Sequence, residues 1–332
     1  MSEPVYDVVG LGNVIVDVIS QADDAFLDRW HITKSAMNLI DEARADALTK
    51  VSNGALETSG GSGANTVAGV LSLGGRAAYF GKVANDRLGQ VFRDDMARIG
   101  APLETEPLIG GAATARSIIF VTPDGCRSMN TFLGATVEFS PEDLNPETIQ
   151  SSALLYMEGY LFDKEAAKAA FVHAAEIAHA AGRRVSLTLS DSFCVDRHRA
   201  SFRSLIANQV DVLFANEEEL LSLYETRDFA HAVSQLRAEA PLAAITRSEK
   251  GSVVVAGGDP IPVSAEPVAN VVDTTGAGDQ YAAGFLFGLA RGLPPETCAR
   301  LGHIAAGEVI THYGPRPETP LADLAKAAGI AV

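Results

Sequence analysis

From about residue 140 onward, short β-branched apolar runs alternate with longer Ala- and Leu-rich segments, and this alternation constrains the fold more than any other feature. The spacing predicts strands over Val185 to Leu189, Val210 to Ala215, Leu242 to Thr246 and Ser252 to Ala256. A further short strand is expected over Asn270 to Val272. Helices are expected over Lys164 to Ala181, stopped by Gly182, and after Asn216, Gly278 and Pro294. Ser140-Pro141-Glu142-Asp143 supplies an N-cap, an N1 proline and an acidic first turn. The N-terminal part begins alike. Tyr6 to Leu11 and Val14 to Ser20 read as extended, and Ala77 to Val83 as a strand. A helix runs from the glycines at 60–63 to Gly74-Gly75, and another from Arg87 to Ile99 with Gly100 as its stop. Such alternation requires right-handed crossovers and a mainly parallel sheet covered by helices on both faces.

Residues 105–138 interrupt the pattern. They are Thr- and Gly-rich, with Arg116 to Thr122 and Ser128 to Phe132 flanking the turn Pro123-Asp124-Gly125, which reads as an inserted hairpin. A chain of 332 residues allows about two domains. The pattern reduces this to one α/β domain over 1–332, with a lid built from insertions at about 13–57 and 107–138.

Composition narrows the setting. With 47% hydrophobic and 20% charged residues, disorder and disulfide scaffolds are excluded. A net charge of −16 argues against nucleic-acid polymers as partners. The three cysteines, Cys126, Cys194 and Cys298, match no metal spacing and suit a reducing compartment. The start lacks a basic region before an apolar run, and no run approaches the ~20 residues of a membrane helix, so a cytoplasmic protein with no membrane partner is expected.

Several motifs fail. Gly10-Leu11-Gly12 opens like a dinucleotide fingerprint, but Ile15 stands where the third glycine belongs. Gly81-Lys82 resembles the end of a phosphate-binding loop, but Arg76 and Val83 occupy the glycine and hydroxyl positions. No HExxH is present, and His173 and His179 read as surface or satisfied residues.

Three segments survive. In Asp273-Thr274-Thr275-Gly276-Ala277-Gly278-Asp279, small residues open a helix, so the amides of Gly276, Ala277 and Gly278 can converge on an anion. Asp279 then sits in the first turn, placed to take a proton from a hydroxyl attacking phosphorus. A bare Gly-Ala-Gly-Asp would equally suit a flexible turn before an acidic helix start; Asp273 and the Ala-Ala-Gly-Phe that follows favour the site. In Gly60-Gly61-Ser62-Gly63-Ala64-Asn65, glycines admit a polyhydroxylated ligand, and Asn65 can donate to and accept from vicinal hydroxyls. In Asn216-Glu217-Glu218-Glu219, one helical turn puts Asn216 and Glu219 on one side, which suits either a hydrated Mg²⁺ or an N-cap with acidic first-turn residues.

Together these segments resemble the PfkB (ribokinase-like) family of carbohydrate and nucleoside kinases over nearly the whole chain. Gly12-Asn13 with Asp17, Thr246 to Gly251 with Ser248 in place of a glycine, and Gly81, Asp86 and Gly89 also follow family segments. Leu189 to Phe193, Arg127-Ser128 and Gly302-His303-Ile304-Ala305-Ala306 are similar to segments of its adenosine kinases rather than its ribokinases. The resemblance implies a ribokinase-like three-layer α/β/α fold with a small β lid. It implies ATP-dependent phosphorylation of a primary hydroxyl, the 5′-OH of adenosine, to give AMP. Asp17 and Asn65, with Gly61, Ser62 and Asn13, would hold the ribose. Asp279 would be the base, with Gly276, Ala277, Gly278 and Arg127 stabilising the transferred phosphoryl group. Asn216, Thr246, Ser248, Gly251 and His303 would bind nucleotide, and Glu219 would hold Mg²⁺ through water. A K⁺ site near Asp273 and Thr275, and either a monomer or a lid-mediated homodimer, are further family traits. The alternatives are a ribokinase or fructokinase acting on a free sugar, and a non-catalytic nucleoside or sugar sensor. The apolar residues Met37, Leu39, Phe132 and Leu133 suit either an adenine slot or lid core.

Overall fold

The computed structural model describes residues 3–52 and 54–331. Its strands, in chain order, are β1 (Tyr6–Leu11), β2 (Ile15–Gln21), β3 (Met37–Leu39), β4 (Leu56–Gly60) and β5 (Ala77–Phe80). They continue with β6 (Arg116–Val121), β7 (Arg127–Phe132), β8 (Ser152–Glu158), β9 (Arg184–Thr188) and β10 (Val212–Asn216). The last are β11 (Leu242–Thr246), β12 (Ser252–Val255) and β13 (Ile261–Val263). Eight of them form the large sheet, in the order β13-β12-β11-β10-β9-β8-β1-β5. Pairing is parallel from β5 to β11, and antiparallel only through β12 and β13.

The parallel strands are buried on both sides, which is why they read as unbroken apolar runs rather than alternating ones. One core lies against the helices Glu165–Ala180, Ser192–Gln209 and Phe229–Glu239, with Phe171, Phe202 and Leu236 at its centre. The other lies beneath Ser62–Ser72, Ala277–Ala290 and Pro295–Val309, with Val67, Phe285 and Leu301. This is the three-layer α/β/α arrangement that the alternation predicts.

The remaining five strands form a second sheet, ordered β3-β7-β6-β2-β4. Along β2, Val16 and Val18 are buried and Asp17 and Ile19 half-buried. One face of this sheet packs its Ile118 and Phe120 against Leu27 and Leu48, and the Asp17 face looks into a cleft against the large sheet.

Strand order places that cleft. From β1 the chain crosses to β5 on one side and later to β8 on the other, so the connection changes direction at β1. Crevices outside the carboxyl ends of parallel strands, at such a reversal, are where α/β sheets bind ligands. Asn13 follows β1, Glu158 ends β8, Asn216 ends β10 and Thr246 ends β11.

Two local expectations differ from the structure. Asn270 to Val272 is not a strand: the Val272 amide donates to the Ile310 carbonyl at a helix end, and Val271 and Val272 are exposed. Residues 152–158, which the sequence pattern did not single out, form the strand beside β1.

Candidate active site

The cleft has a volume of about 1300 Å³, above the roughly 300–1,000 Å³ of a pocket for one small ligand. It is lined by Asn13, Asp17, Gly61, Ser62, Asn65 and Asp279 at one end, by Gly276, Ala277 and Gly278 next to them, and by Asn216, Glu219, Thr246, Ser248, Gly251 and His303 at the other.

Asp279 lies in the first turn of the helix Ala277–Ala290. Gly276, the residue before it, has φ +82°, and a Cβ there would lie 2.6 Å from the Pro315 backbone, so only glycine fits. Gly278 faces open space, leaving its amide approachable. The Asp279 carboxylate accepts from Ser62 Oγ at 2.6 Å and from Asn65 Nδ2 at 3.1 Å. Burial raises its proton affinity above that of an ordinary aspartate, and these two hydrogen bonds oppose the rise.

The end that holds Asp17 and Asn65 is built from the β1–β2 junction and the start of helix Ser62–Ser72. A Cβ on Gly60 would lie 2.7 Å from the Asp17 carboxylate, so glycine lets the two segments close on one another. Asp17 has no hydrogen-bond partner among the described residues and faces the cleft. Burial pushes its carboxyl up to about 6, against the lowering charges of Arg127 and Arg316.

Two residues absent from the sequence-based set join this end. Glu158, 1% exposed, accepts from the Gly63 amide at 2.7 Å and from Asn13 Nδ2 at 3.3 Å. Burial, with the Asp279 charge adding, pushes it up to about 8. Its one signal in the sequence is an acidic residue closing an otherwise apolar run, Ala153 to Met157. Arg316, in the loop after helix Pro295–Val309, donates through Nε to Asn65 Oδ1 at 3.3 Å. No pattern marks it.

Arg127 is not on the cleft wall. It begins β7 and donates to Asp273 at 2.8 Å, joining the small sheet to the turn before Gly276. Asp273 also accepts from the Thr275 amide and hydroxyl and from the Gly314 amide. Burial opposes its ionisation, but these bonds and Arg127 hold its carboxyl below the usual aspartate value.

At the far end, Asn216 and Glu219 form a capping box. Glu219 accepts from the Asn216 amide at 3.0 Å and from its side chain at 2.6 Å, and returns its own amide to Asn216 Oδ1 at 2.8 Å. Burial, then the charges of Asp191 and Glu218, push Glu219 up to about 7. His303 shares Ser252 Oγ with Tyr281 and packs edge-on against the Tyr281 ring at 5.0 Å; burial drives it down to about 4, so it is neutral at pH 7. Thr246 ends β11. Ser248, standing where the resembled family has glycine, takes φ +52°, and Gly251 takes φ +83°. Met37, Leu39 and Leu133 give the small-sheet side of the cleft an apolar wall; Phe132 is not on it. Among the described residues no cluster of three or more His, Cys, Asp or Glu side chains could hold a metal directly, and no helix is long and apolar enough to cross a membrane.

Comparison with known proteins shows the family. The pattern described as "pfkB family carbohydrate kinase" matches residues 35–322. A probable sugar kinase from Rhizobium etli is 50% identical, with a TM-score of 0.91, covering 99% of this chain and 100% of its own. Adenosine kinase from Sinorhizobium meliloti is 54% identical, with a TM-score of 0.89, covering 97% and 99%. A 5-dehydro-2-deoxygluconokinase from Geobacillus thermodenitrificans is 26% identical over 277 residues, covering 80% and 82%.

Proposed function

The chain belongs to the pfkB family of carbohydrate kinases and is a phosphotransferase, and from that premise we propose that it moves the γ-phosphoryl group of ATP to the 5′-hydroxyl of adenosine. The observation that carries this reading is Asp279 at an open helix start, held by Ser62 and Asn65 and facing a cleft large enough for two ligands. The apolar wall of Met37, Leu39 and Leu133 favours a nucleobase over a bare sugar, as does the likeness to the Sinorhizobium adenosine kinase.

Asp17 and Asn65 bind the ribose 2′ and 3′ hydroxyls, assisted by Asn13 and the Gly61 backbone, which turns a bimolecular encounter into an oriented attack. Asp279 takes the 5′ proton as the oxygen attacks phosphorus; its raised proton affinity improves it as a base. The amides of Gly276, Ala277 and Gly278, with the helix dipole behind them, face the charge that spreads over the transferred group. Asn216, Thr246, Ser248, Gly251 and His303 hold the nucleotide largely by shape and backbone, because Asn216 and His303 already bond to their own surroundings. Arg127 adds positive charge once its Asp273 contact opens. The sheet that carries β2 and β7 acts as a lid excluding water.

Glu219 fits Mg²⁺ held through water rather than directly, since both its oxygens are engaged by Asn216. When bound, the ion would neutralise polyphosphate charge. Asp273 and Thr275 are the residues around which a monovalent cation would be sought, by assay with and without K⁺.

The test is a coupled assay with ATP across adenosine, inosine, ribose, fructose and 5-dehydro-2-deoxygluconate. Adenosine should exceed the free sugars in kcat/KM by at least about 10²-fold. Preference for a free sugar would overturn the nucleoside reading, and binding without turnover would point to a sensor.

A further inference from the structure

Arg316 is a half-buried cation that the mechanism above does not use. Its side chain is 18% exposed. It comes from the loop 311–319, whose carbonyl and amide groups also bind the machinery: the Gly314 amide donates to Asp273, and the Pro315 carbonyl accepts from Gln280. The guanidinium faces in two directions. Nε donates to Asn65 Oδ1 at 3.3 Å, and Nη1 donates to Asp95 Oδ2 at 3.2 Å. Asp95 in turn accepts from the Ser59 amide at 3.2 Å and from the Ser59 hydroxyl, on β4 of the small sheet, and pairs with Arg98.

An asparagine amide has two nearly isosteric ends, and its orientation is set by its partners. Arginine can only donate, so it takes the Asn65 oxygen and leaves Nδ2 for Asp279, which it reaches at 3.1 Å. The Asn65 amide therefore lies between a fixed cation and the carboxylate of the base. A continuous line of contacts runs Ser59, Asp95, Arg316, Asn65, Asp279, from the root of the small sheet to the reacting position.

We propose that Arg316 is a positioning residue for phosphoryl transfer: it fixes the Asn65 amide so that Asn65 holds Asp279 and the nucleoside hydroxyls together, and it couples that alignment to β4 through Asp95. The inference rests on the roles given above to Asn65 and Asp279. Lysine could supply the charge at this place but not the planar fork that meets Asn65 and Asp95 at once.

The charges acting on Asp17 are those of Arg127 from β7 and Arg316 from its loop, and the Asp279 carboxylate acts in turn on Glu158 from β8. Asp95 and Arg98 stand behind Arg316, and the phenols of Tyr79 and Tyr156 lie below. The charge of Arg316 favours ionised Asp17, so removing it should raise that carboxyl and move the acid limb of activity to higher pH.

The test compares wild type, Arg316→Gln and Arg316→Lys in steady-state kinetics from about pH 5 to about pH 9, with melting temperatures alongside. Asp95 keeps Ser59 and Arg98 in both variants, so both are expected to fold. Arg316→Gln should lower kcat by about 10-fold or more, raise the nucleoside KM, leave the ATP KM unmoved and shift the acid limb of kcat/KM upward by about half a pH unit or more. Arg316→Lys should restore the limb without restoring kcat. A lower melting temperature with kcat, nucleoside KM and acid limb all as in wild type would overturn the proposal. If Arg316→Gln does not fold, Arg316→Lys decides alone: full wild-type kcat breaks the positioning role. Wild type without activity on any nucleoside would instead break the functional reading, so the two failures are separable.

Discussion

At the Asp279 end of the cleft, polar side chains reach across long sequence separations. Ser62 and Asn65 meet Asp279, Asn13 and Gly63 meet Glu158, and Arg316 meets Asn65. At the Asn216 end they close on near neighbours or on the wall behind them, as Asn216 does with Glu219, and His303 with Ser252 and Tyr281. Among the described residues Asp17 has no hydrogen-bond partner in the first end and faces the cleft, whereas the second end offers mainly backbone and shape. An end that must hold reacting atoms needs groups fixed by several elements. An end that grips a polyphosphate carrier can be preassembled from one turn and one strand terminus.

If that contrast is right, the largest losses lie at the Asp279 end. Asp279→Ala should lower kcat by about 10²–10⁴-fold with little change in melting temperature. A nearly active variant would remove the base and with it the main reason for the crosslinked end. Asp17→Asn should act next most strongly, raising the nucleoside KM by about 10–100-fold while the ATP KM stays within about twofold. Because Asp17 is held near 6, wild-type nucleoside affinity should fall as pH drops below that value, where the carboxylate gains a proton and loses acceptor capacity. A pH-independent nucleoside KM would show that Asp17 does not grip the hydroxyls.

How far the sequence revealed each end follows from the same contrast. Gly60 to Asn65 and Asp273 to Asp279 are local runs of small residues around one polar group. Their backbone demands are written into the residue types, so both were legible. Asn216 and Glu219 sit three apart, and their capping geometry was one of the two readings that the spacing allowed. Glu158 and Arg316 are single charges whose partners lie 95 and 251 positions away along the chain, and only the sheet order and the last loop bring them in. The alternation of apolar runs revealed the parallel sheet because buried strands need no polar face. It failed at Asn270 to Val272, where β-branched residues pair with a helix end instead of a strand.

The two ends also share a cost. Glu158 and Glu219 are buried acids pushed up to about 8 and about 7, so near neutrality the folded protein holds protons that the unfolded chain has released. The folded values lie above the unfolded ones, and stability must therefore fall as pH rises through them. Urea unfolding should show a lower unfolding free energy at about pH 8 than at about pH 6.5, and Glu219→Gln should make that slope shallower. A flat or rising profile would mean that neither acid is as isolated from water as the geometry requires.

The smallest effect sits in the turn proposed to bind nucleotide. Ser248 holds φ +52° between Arg247 and Glu249, in a conformation that costs a side chain bearing Cβ about 1–2 kcal/mol and glycine little. Glycine would relieve that strain but lose more chain entropy on folding, about 0.5–1 kcal/mol. Ser248→Gly should thus stabilise the protein by roughly 0.5–1 kcal/mol, read as an increased urea midpoint at unchanged slope. The ATP KM tells whether the serine is kept for its hydroxyl. If it is unchanged, the nucleotide end binds through backbone, as its self-satisfied side chains imply. If it rises several-fold, the Ser248 hydroxyl is a contact in its own right, and the two ends of the cleft differ less than their hydrogen bonding suggests.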